Sequence, residues 1–356
     1  PLLFITEYAL AQVWISRGLT PDVMIGHSLG EITAACLAGV FSLTDALQLV
    51  CERGRMMQSL PEGDMLAVEI SEADAQVYLS ADVSLAGINS DYQCVFSGAK
   101  NAIDLLIAQF PEAQRLNTSH AFHSQMMLSI ADAFSKMLSS LSLSPPKLSW
   151  VSNVTGDWIT AEQAQSTQYW LDHILQPVRF GDGIACLDSA GYRIFLECGP
   201  GNILTNLVRR NLEVGARQDL PVNGFVYANS LPLRRQSIEA DLYLQNNVAK
   251  LWVNGVDIDP ALLPRSENKE QQSEPNRAEY RRVALPGYSF EPTRCWIDAA
   301  DQNVLNHAAT LDNSSTQPNK ITDRKNWFYS PSWHRRRLPK TAAANRRLLV
   351  FIDGGT

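Results

Sequence analysis

The chain has 356 residues, 45% of them hydrophobic and 19% charged, with a net charge of −7. At roughly 100–200 residues per domain, that length suits about two globular domains. No apolar run approaches the ~20 residues of a membrane helix, nothing in the charge advertises a nucleic-acid surface, and 20 glycines with 18 prolines exclude a collagen-like or linker-dominated chain.

In chain order, Leu2–Trp14 forms an amphipathic helical pattern, and Val23-Met24-Ile25 is a short apolar strand ended by Gly26. Glu31–Val40 (EITAACLAGV) is small and apolar, suited to a helix lying on a sheet, and Ser42-Leu43-Thr44-Asp45 starts the next helix with hydroxyl and acidic caps. After the turn at Pro61-Glu62-Gly63-Asp64 the order becomes strand, helix, strand, strand, helix, strand up to Leu116. That order is the split βαβ, ferredoxin-like pattern, so 62–121 reads as an inserted subdomain. From 122 to 210, strands alternate with helices, with helices over 124–141 and 161–174 and a strand over 193–197. Alternation of this kind predicts a parallel sheet covered on both faces.

The fold class predicted is α/β: an α/β-hydrolase-like large subdomain (1–61 and 122–210) with a ferredoxin-like α+β insert (62–121). Beyond it, 211–298 and 299–325 read as linker, the second of them polar and flexible, around a helix over 238–253. The run 347–353 reads as a buried strand with no neighbours of its own. With Pro1 opening straight into a helix, this suggests a segment of a longer polypeptide. Cysteines 36, 51, 94, 186, 198 and 295 have no CxxC spacing and sit partly in apolar runs. They read as reduced thiols of a cytoplasmic protein, with neither a disulfide frame nor a metal site.

Gly26-His27-Ser28-Leu29-Gly30 is a G-x-S-x-G sequence between a strand and a helix, the context of a nucleophile elbow. The glycines permit a sharp turn that exposes Ser28, and the Leu29 N–H at the helix start can donate to an oxyanion. A serine needs a base. Of six histidines, His120 and His123 fall where the insert returns to the large subdomain, a common place for a cleft. The residues themselves leave open which of the two is the base. Arg53 on the following helix suits a bidentate grip on a free carboxylate, although spacing alone favours a surface arginine.

GHSLGE (26–31), RGRMMQ (53–58), SHAFHS (119–124), SNVTG (152–156), PVRF (177–180) and LECGPGNIL (196–204) occur in this order. Together they resemble the acyltransferase domain of a modular type I polyketide synthase, and also malonyl-CoA:ACP transacylases, over about residues 1–210. Further on, LPGYSFEPTRCW (285–296) resembles the linker after such domains. FYSPSW (328–333) and the strand 347–353 resemble the start of a ketoreductase region over 326–356, with the first strand of a Rossmann-like domain.

The resemblance implies ping-pong transfer of an extender unit from an acyl-CoA to the phosphopantetheine thiol of an acyl carrier protein. No cofactor is bound within the segment. Ser28 would be the nucleophile, His123 the base and Arg53 the carboxylate partner. The backbone carbonyl of His173 would orient the base, and His27 and Asn153 would line the pocket. Phe122 in HAFH, with Leu29, points to malonyl-CoA over methylmalonyl-CoA, because its ring fills the room a C2 methyl needs. Ketosynthase and ketoreductase domains of the same, homodimeric polypeptide would be the other partners. A glycine–glutamine motif that supplies a second oxyanion amide in such domains, and the strand bearing it, would precede Pro1. The isolated segment is therefore expected to be weak or inactive, since one oxyanion donor is worth about 10²–10³ in rate. The rival readings are an α/β-hydrolase-type esterase or thioesterase, which would give Arg53 no task, and a non-catalytic docking scaffold.

Overall fold

The computed structural model describes residues 1–213, 224–233, 236–258 and the backbone of 348–352. The 259–347 stretch, which holds most of the two linkers, LPGYSFEPTRCW and the start of the 326–356 region, lies outside the described residues, as do 353–356.

Helix α1 (Leu2–Ser16), expected to be amphipathic, carries apolar residues on nearly every side and buries Phe4, Glu7, Ala11 and Trp14. Strand β1 (Val23–Gly26) runs into helix α2 (Leu29–Leu37), whose small residues Ala34 and Ala35 are fully buried, as is Ala38 just past its end. Helix α3 (Leu43–Gln58) begins at Ser42, whose hydroxyl accepts from the Asp45 N–H. The insert follows as β2 (Asp64–Val68), α4 (Glu72–Ala75), β3 (Val83–Ser90), β4 (Gln93–Gly98), α5 (Lys100–Gln109) and β5 (Gln114–Arg115). The chain then returns through α6 (Ala131–Leu138), β6 (Trp150–Val151), α7 (Ala161–Ala164), α8 (Thr167–Leu175), α9 (Phe180–Ser189), β7 (Ile194–Cys198) and α10 (Ile203–Glu213). Strand β8 (Val226–Asn229), helix α11 (Ala240–Val253) and strand β9 (Leu348–Ile352) complete it.

Two sheets result. The insert is antiparallel in the order β3-β4-β2-β5, the split βαβ arrangement, over its own core of Leu66, Phe96, Ile103 and neighbours. The larger sheet is parallel in the order β6-β1-β9-β7-β8. Apolar clusters lie on each of its faces, one around Phe4, Trp14 and Trp170, the other around Phe180, Phe195 and Leu204. The four-residue and five-residue strands β1 and β7 are buried throughout, as parallel strands covered on both faces must be. No helix of the described residues is long and apolar enough to cross a membrane.

Three expectations change. The predicted helix over 124–141 is a turn of 3-10 helix (Gln125–Ile130) followed by α6, because Ser124 caps the shorter turn through the Met126 N–H. The predicted helix over 161–174 is split at Gln165-Ser166, where the Ser166 hydroxyl caps α8. The strand near the C-terminus, assigned from sequence to a Rossmann-like domain, pairs inside the larger sheet, Val350 opposite both Met24 of β1 and Leu196 of β7. A short, wholly apolar run carries no mark of which parallel sheet it joins, and β9 lies between β1 and β7.

Candidate active site

The site lies at the carboxyl ends of the parallel strands, where open α/β sheets hold their ligands. Gly26 ends β1, and a Cβ on it would stand 2.1 Å from the Gly30 carbonyl carbon, so only glycine allows α2 to fold back this closely. Ser28 sits at the apex with φ 49° and ψ −108°. The Gly30 and Glu31 amides turn back onto the His27 and Ser28 carbonyls, leaving the Leu29 N–H as the open amide at the start of α2.

His123 comes from the loop that leaves the insert, with φ 54°. Its Nε2 lies 2.7 Å from Ser28 Oγ and its Nδ1 3.0 Å from the Gln176 carbonyl oxygen. The carbonyl can only accept, so Nδ1 carries the proton and Nε2 presents its lone pair to the serine hydroxyl. Burial holds this imidazole well below its ordinary pKa, helped by the Arg53 charge, so it is a neutral base at pH 7. The Gln176 carbonyl is available because Pro177 follows it. The residue before proline is pushed to extended backbone, here φ −89° and ψ 160°, which ends α8 and turns the carbonyl aside.

That geometry corrects the role assigned to His173. Its carbonyl is not the one that orients the base. Instead its side chain is buried between Trp170 and His123, with Nε2 3.4 Å from the Glu31 carboxylate. Asn153 is corrected as well. It lines neither cavity described below but lies behind the nucleophile, 2% exposed. Its Oδ1 accepts from the Ser28 N–H at 2.7 Å and its Nδ2 donates to the Gly26 carbonyl at 2.7 Å.

Arg53 is buried on the inner face of α3, with Nη2 3.1 Å from Ser28 Oγ. Its Nε has no hydrogen-bond partner, and no carboxylate is paired with it among the described residues. Burial pushes this guanidinium down to about 10, so it remains a cation at pH 7. His27 lies between the sheets, its Nε2 3.0 Å from Asn89 Oδ1 and its ring against Phe180. Burial lowers it to about 4, so it is neutral.

Two cavities meet at Ser28 and Phe122. One, of about 270 Å³, is walled by Leu29, Arg53, Met57 and His120. The other, about 540 Å³, opens between the insert and the large subdomain, past His27, Asn89, Gln114, Asn117 and Leu207. The site therefore brings together Ser28, His123, Leu29, Arg53, His27 and Phe122, and adds Gln176, Glu31 and Asn89, which the sequence reading missed.

The acyl transferase domain family matches residues 1–257. The chain belongs to that family. Polyketide synthase GfsB of Streptomyces halstedii is 35% identical over 310 residues, which are 84% of this chain but only 5% of that protein's length. The acyl transferase domain of SpnD, solved in complex with 2-(pent-4-yn-1-yl)malonyl, aligns with a TM-score of 0.68 at 37% identity, over 74% of this chain and 62% of that one. The malonyl-CoA:ACP transacylase of Synechocystis sp. PCC 6803 aligns with a TM-score of 0.57 at 28% identity, over 64% and 75%. In this acyl transferase domain, a serine on a helix N-terminus stands within hydrogen-bond length of both a neutral imidazole and a buried guanidinium.

Proposed function

We propose that this acyl transferase domain loads malonyl from malonyl-CoA, through an ester on Ser28, onto the phosphopantetheine thiol of an acyl carrier protein in polyketide assembly. The observation that carries the reading is Arg53, a buried cation beside the nucleophile with no carboxylate paired to it among the described residues. Leaving such a charge unpaired costs several kcal/mol, and a substrate that brings its own carboxylate relieves the cost. A simple esterase substrate brings none.

In the first half-reaction Ser28 Oγ attacks the thioester carbonyl as His123 Nε2 takes its proton. The oxyanion forms against the Leu29 N–H and the positive end of α2. Collapse expels the CoA thiolate, which takes the proton back from His123. In the second half-reaction the carrier thiol gives its proton to Nε2 and attacks the ester, and Ser28 leaves with that proton. The Gln176 carbonyl fixes the tautomer that both halves need. Phe122, which borders both cavities, supports malonyl over methylmalonyl, since its ring takes up the room beside the acyl C2. The same reading makes ketosynthase and ketoreductase domains of one homodimeric, cytoplasmic polypeptide the partners.

Intact-protein mass spectrometry of the parent polyketide synthase module after mixing with equal malonyl-CoA and methylmalonyl-CoA tests it. A malonyl increment on the wild type, absent in Ser28→Ala, is expected. A methylmalonyl increment would discard the choice of extender unit, and free malonate without an adduct would favour a hydrolase.

A further inference from the structure

Glu31 is the third residue of α2 and is fully buried beneath the nucleophile. Its Oε2 accepts from the Asn153 backbone N–H at 2.8 Å. Its Oε1 accepts from Trp150 Nε1–H at 2.9 Å and from the Tyr169 hydroxyl. His173 Nε2 stands 3.4 Å from Oε2. These partners come from two places, the end of β6 (Trp150 and Asn153) and α8 (Tyr169 and His173).

Each of those places holds one half of the reacting pair. The Asn153 side chain grips the Ser28 N–H and the Gly26 carbonyl, and so maintains the turn at φ 49°. Helix α8 ends at Gln176, whose carbonyl aims the His123 imidazole. One carboxylate thus ties the holder of the nucleophile to the holder of the base. It does so without an arginine or lysine paired to it among the described residues. A buried carboxylate is costly, and apolar replacements of buried ionic groups are often neutral or stabilising. Packing alone does not call for a charge here.

We propose that Glu31 is a positioning residue for acyl transfer, setting the distance and angle between Ser28 and His123 through Asn153 and α8. The inference rests on Ser28 acting as the nucleophile, but not on which acyl group it carries. Glu31→Gln keeps the size and turns an NH₂ towards donors. Tyr169→Phe removes one donor and leaves the carboxylate.

The test uses two readouts on the whole protein: the rate constant for phosphonylation of Ser28 by a fluorophosphonate probe, and kcat with KM for transfer from malonyl-CoA. For Glu31→Gln, both the probe rate constant and kcat are expected to fall about tenfold to a hundredfold, the range a misplacement near 1 Å produces. KM is expected to stay within about twofold, and the fraction of Ser28 finally labelled to equal the wild type. Rate constants per labelled site within about twofold of wild type, whatever happens to the melting temperature, would overturn the proposal. If Glu31→Gln does not fold, Tyr169→Phe is expected to slow both reactions in the same direction, and unchanged rates there overturn it equally. A wild type that reacts with the probe but not with malonyl-CoA would end the malonyl reading and leave the positioning role to be read from the probe. A wild type whose Ser28 reacts with neither would end both.

Discussion

Ser28 and His123, whose side chains meet at 2.7 Å, are also the only non-glycine residues among those described with a positive φ, 49° and 54°. Such backbone costs about 1–3 kcal/mol per residue and is held only where the surroundings over-determine it. Strain of this kind can be released at the expense of chemistry. Ser28→Gly is therefore expected to raise stability by about 1 kcal/mol or more while abolishing the acyl-enzyme, and Ser28→Ala to abolish it without that gain. Thermal melts beside intact-mass measurements check this, and equal melting temperatures for the two variants would contradict it.

Arg53 offers a related exchange. Replacing an unpaired buried guanidinium by an apolar chain removes a desolvation cost. Arg53→Met is expected to raise the urea midpoint of the free protein. It is also expected to lower kcat/KM for malonyl-CoA by about 10–150-fold, the worth of a hydrogen bond to a charged group, while acetyl-CoA is affected far less. A variant that loses both substrates equally would remove the carboxylate-pairing role.

At Phe122 the expected outcome is a change of preference rather than a loss. Phe122→Ser opens space where the two cavities meet at Ser28. The ratio of malonyl to methylmalonyl use in direct competition should move towards methylmalonyl by about 10–200-fold, the worth of one methyl group in a close-fitting pocket. An unmoved ratio would place the selecting contact elsewhere.

Acid should weaken both fold and activity, and not at the pH of an exposed histidine. Burial takes His27 from 6.5 to about 4 and holds His123 well below 6.5. The unfolded chain therefore binds more protons than the folded one below pH 6.5, so stability is present above that pH and is lost as pH falls towards 4. His27 alone accounts for roughly 3 kcal/mol of that loss. Urea titrations across this window should show the midpoint falling, with a shallower fall in His27→Gln. The acid limb of kcat/KM for acylation should lie below pH 6.5; a limb at that value would mean that His123 is solvated before substrate binds.

Much of this was legible in the residues because their chemistry is local. A serine between glycines, after a strand and before a helix, can scarcely fold otherwise than as the turn seen at 26–30. The order of short strands and helices between 62 and 121 likewise specifies the small sheet. What failed was contact at a distance. The resemblance made Asn153 a pocket wall, yet it is buried behind Ser28, its backbone N–H bound to Glu31. A main-chain carbonyl was expected to orient the base, but it was placed at His173, three residues before the Gln176 carbonyl that does so, because a carbonyl leaves no side-chain mark in a sequence. Pro177 was the available signal for it, and a carboxylate opening the otherwise small and apolar α2 was the signal for Glu31. The destination of 348–352 was not legible, because an apolar strand states that it is buried and not where.

Val178, two residues beyond Gln176, accepts from the Ile88 N–H and donates to the Ala86 carbonyl, both on β3 of the small sheet. Arg179 then reaches Glu72 in the insert at 3.1 Å and Asp182 on α9 at 2.6 Å. The carbonyl that aims His123 is thus mounted on the seam between the two sheets. Exchanging residues 62–121 between related domains, a natural way to transplant an acyl preference, would replace one side of that mount along with the pocket wall. A chimera of this kind inherits the selectivity of one parent only if its graft carries a β3 that seats Val178 as its own did, and a boundary drawn to include 176–182 keeps both sides of the joint from the same parent.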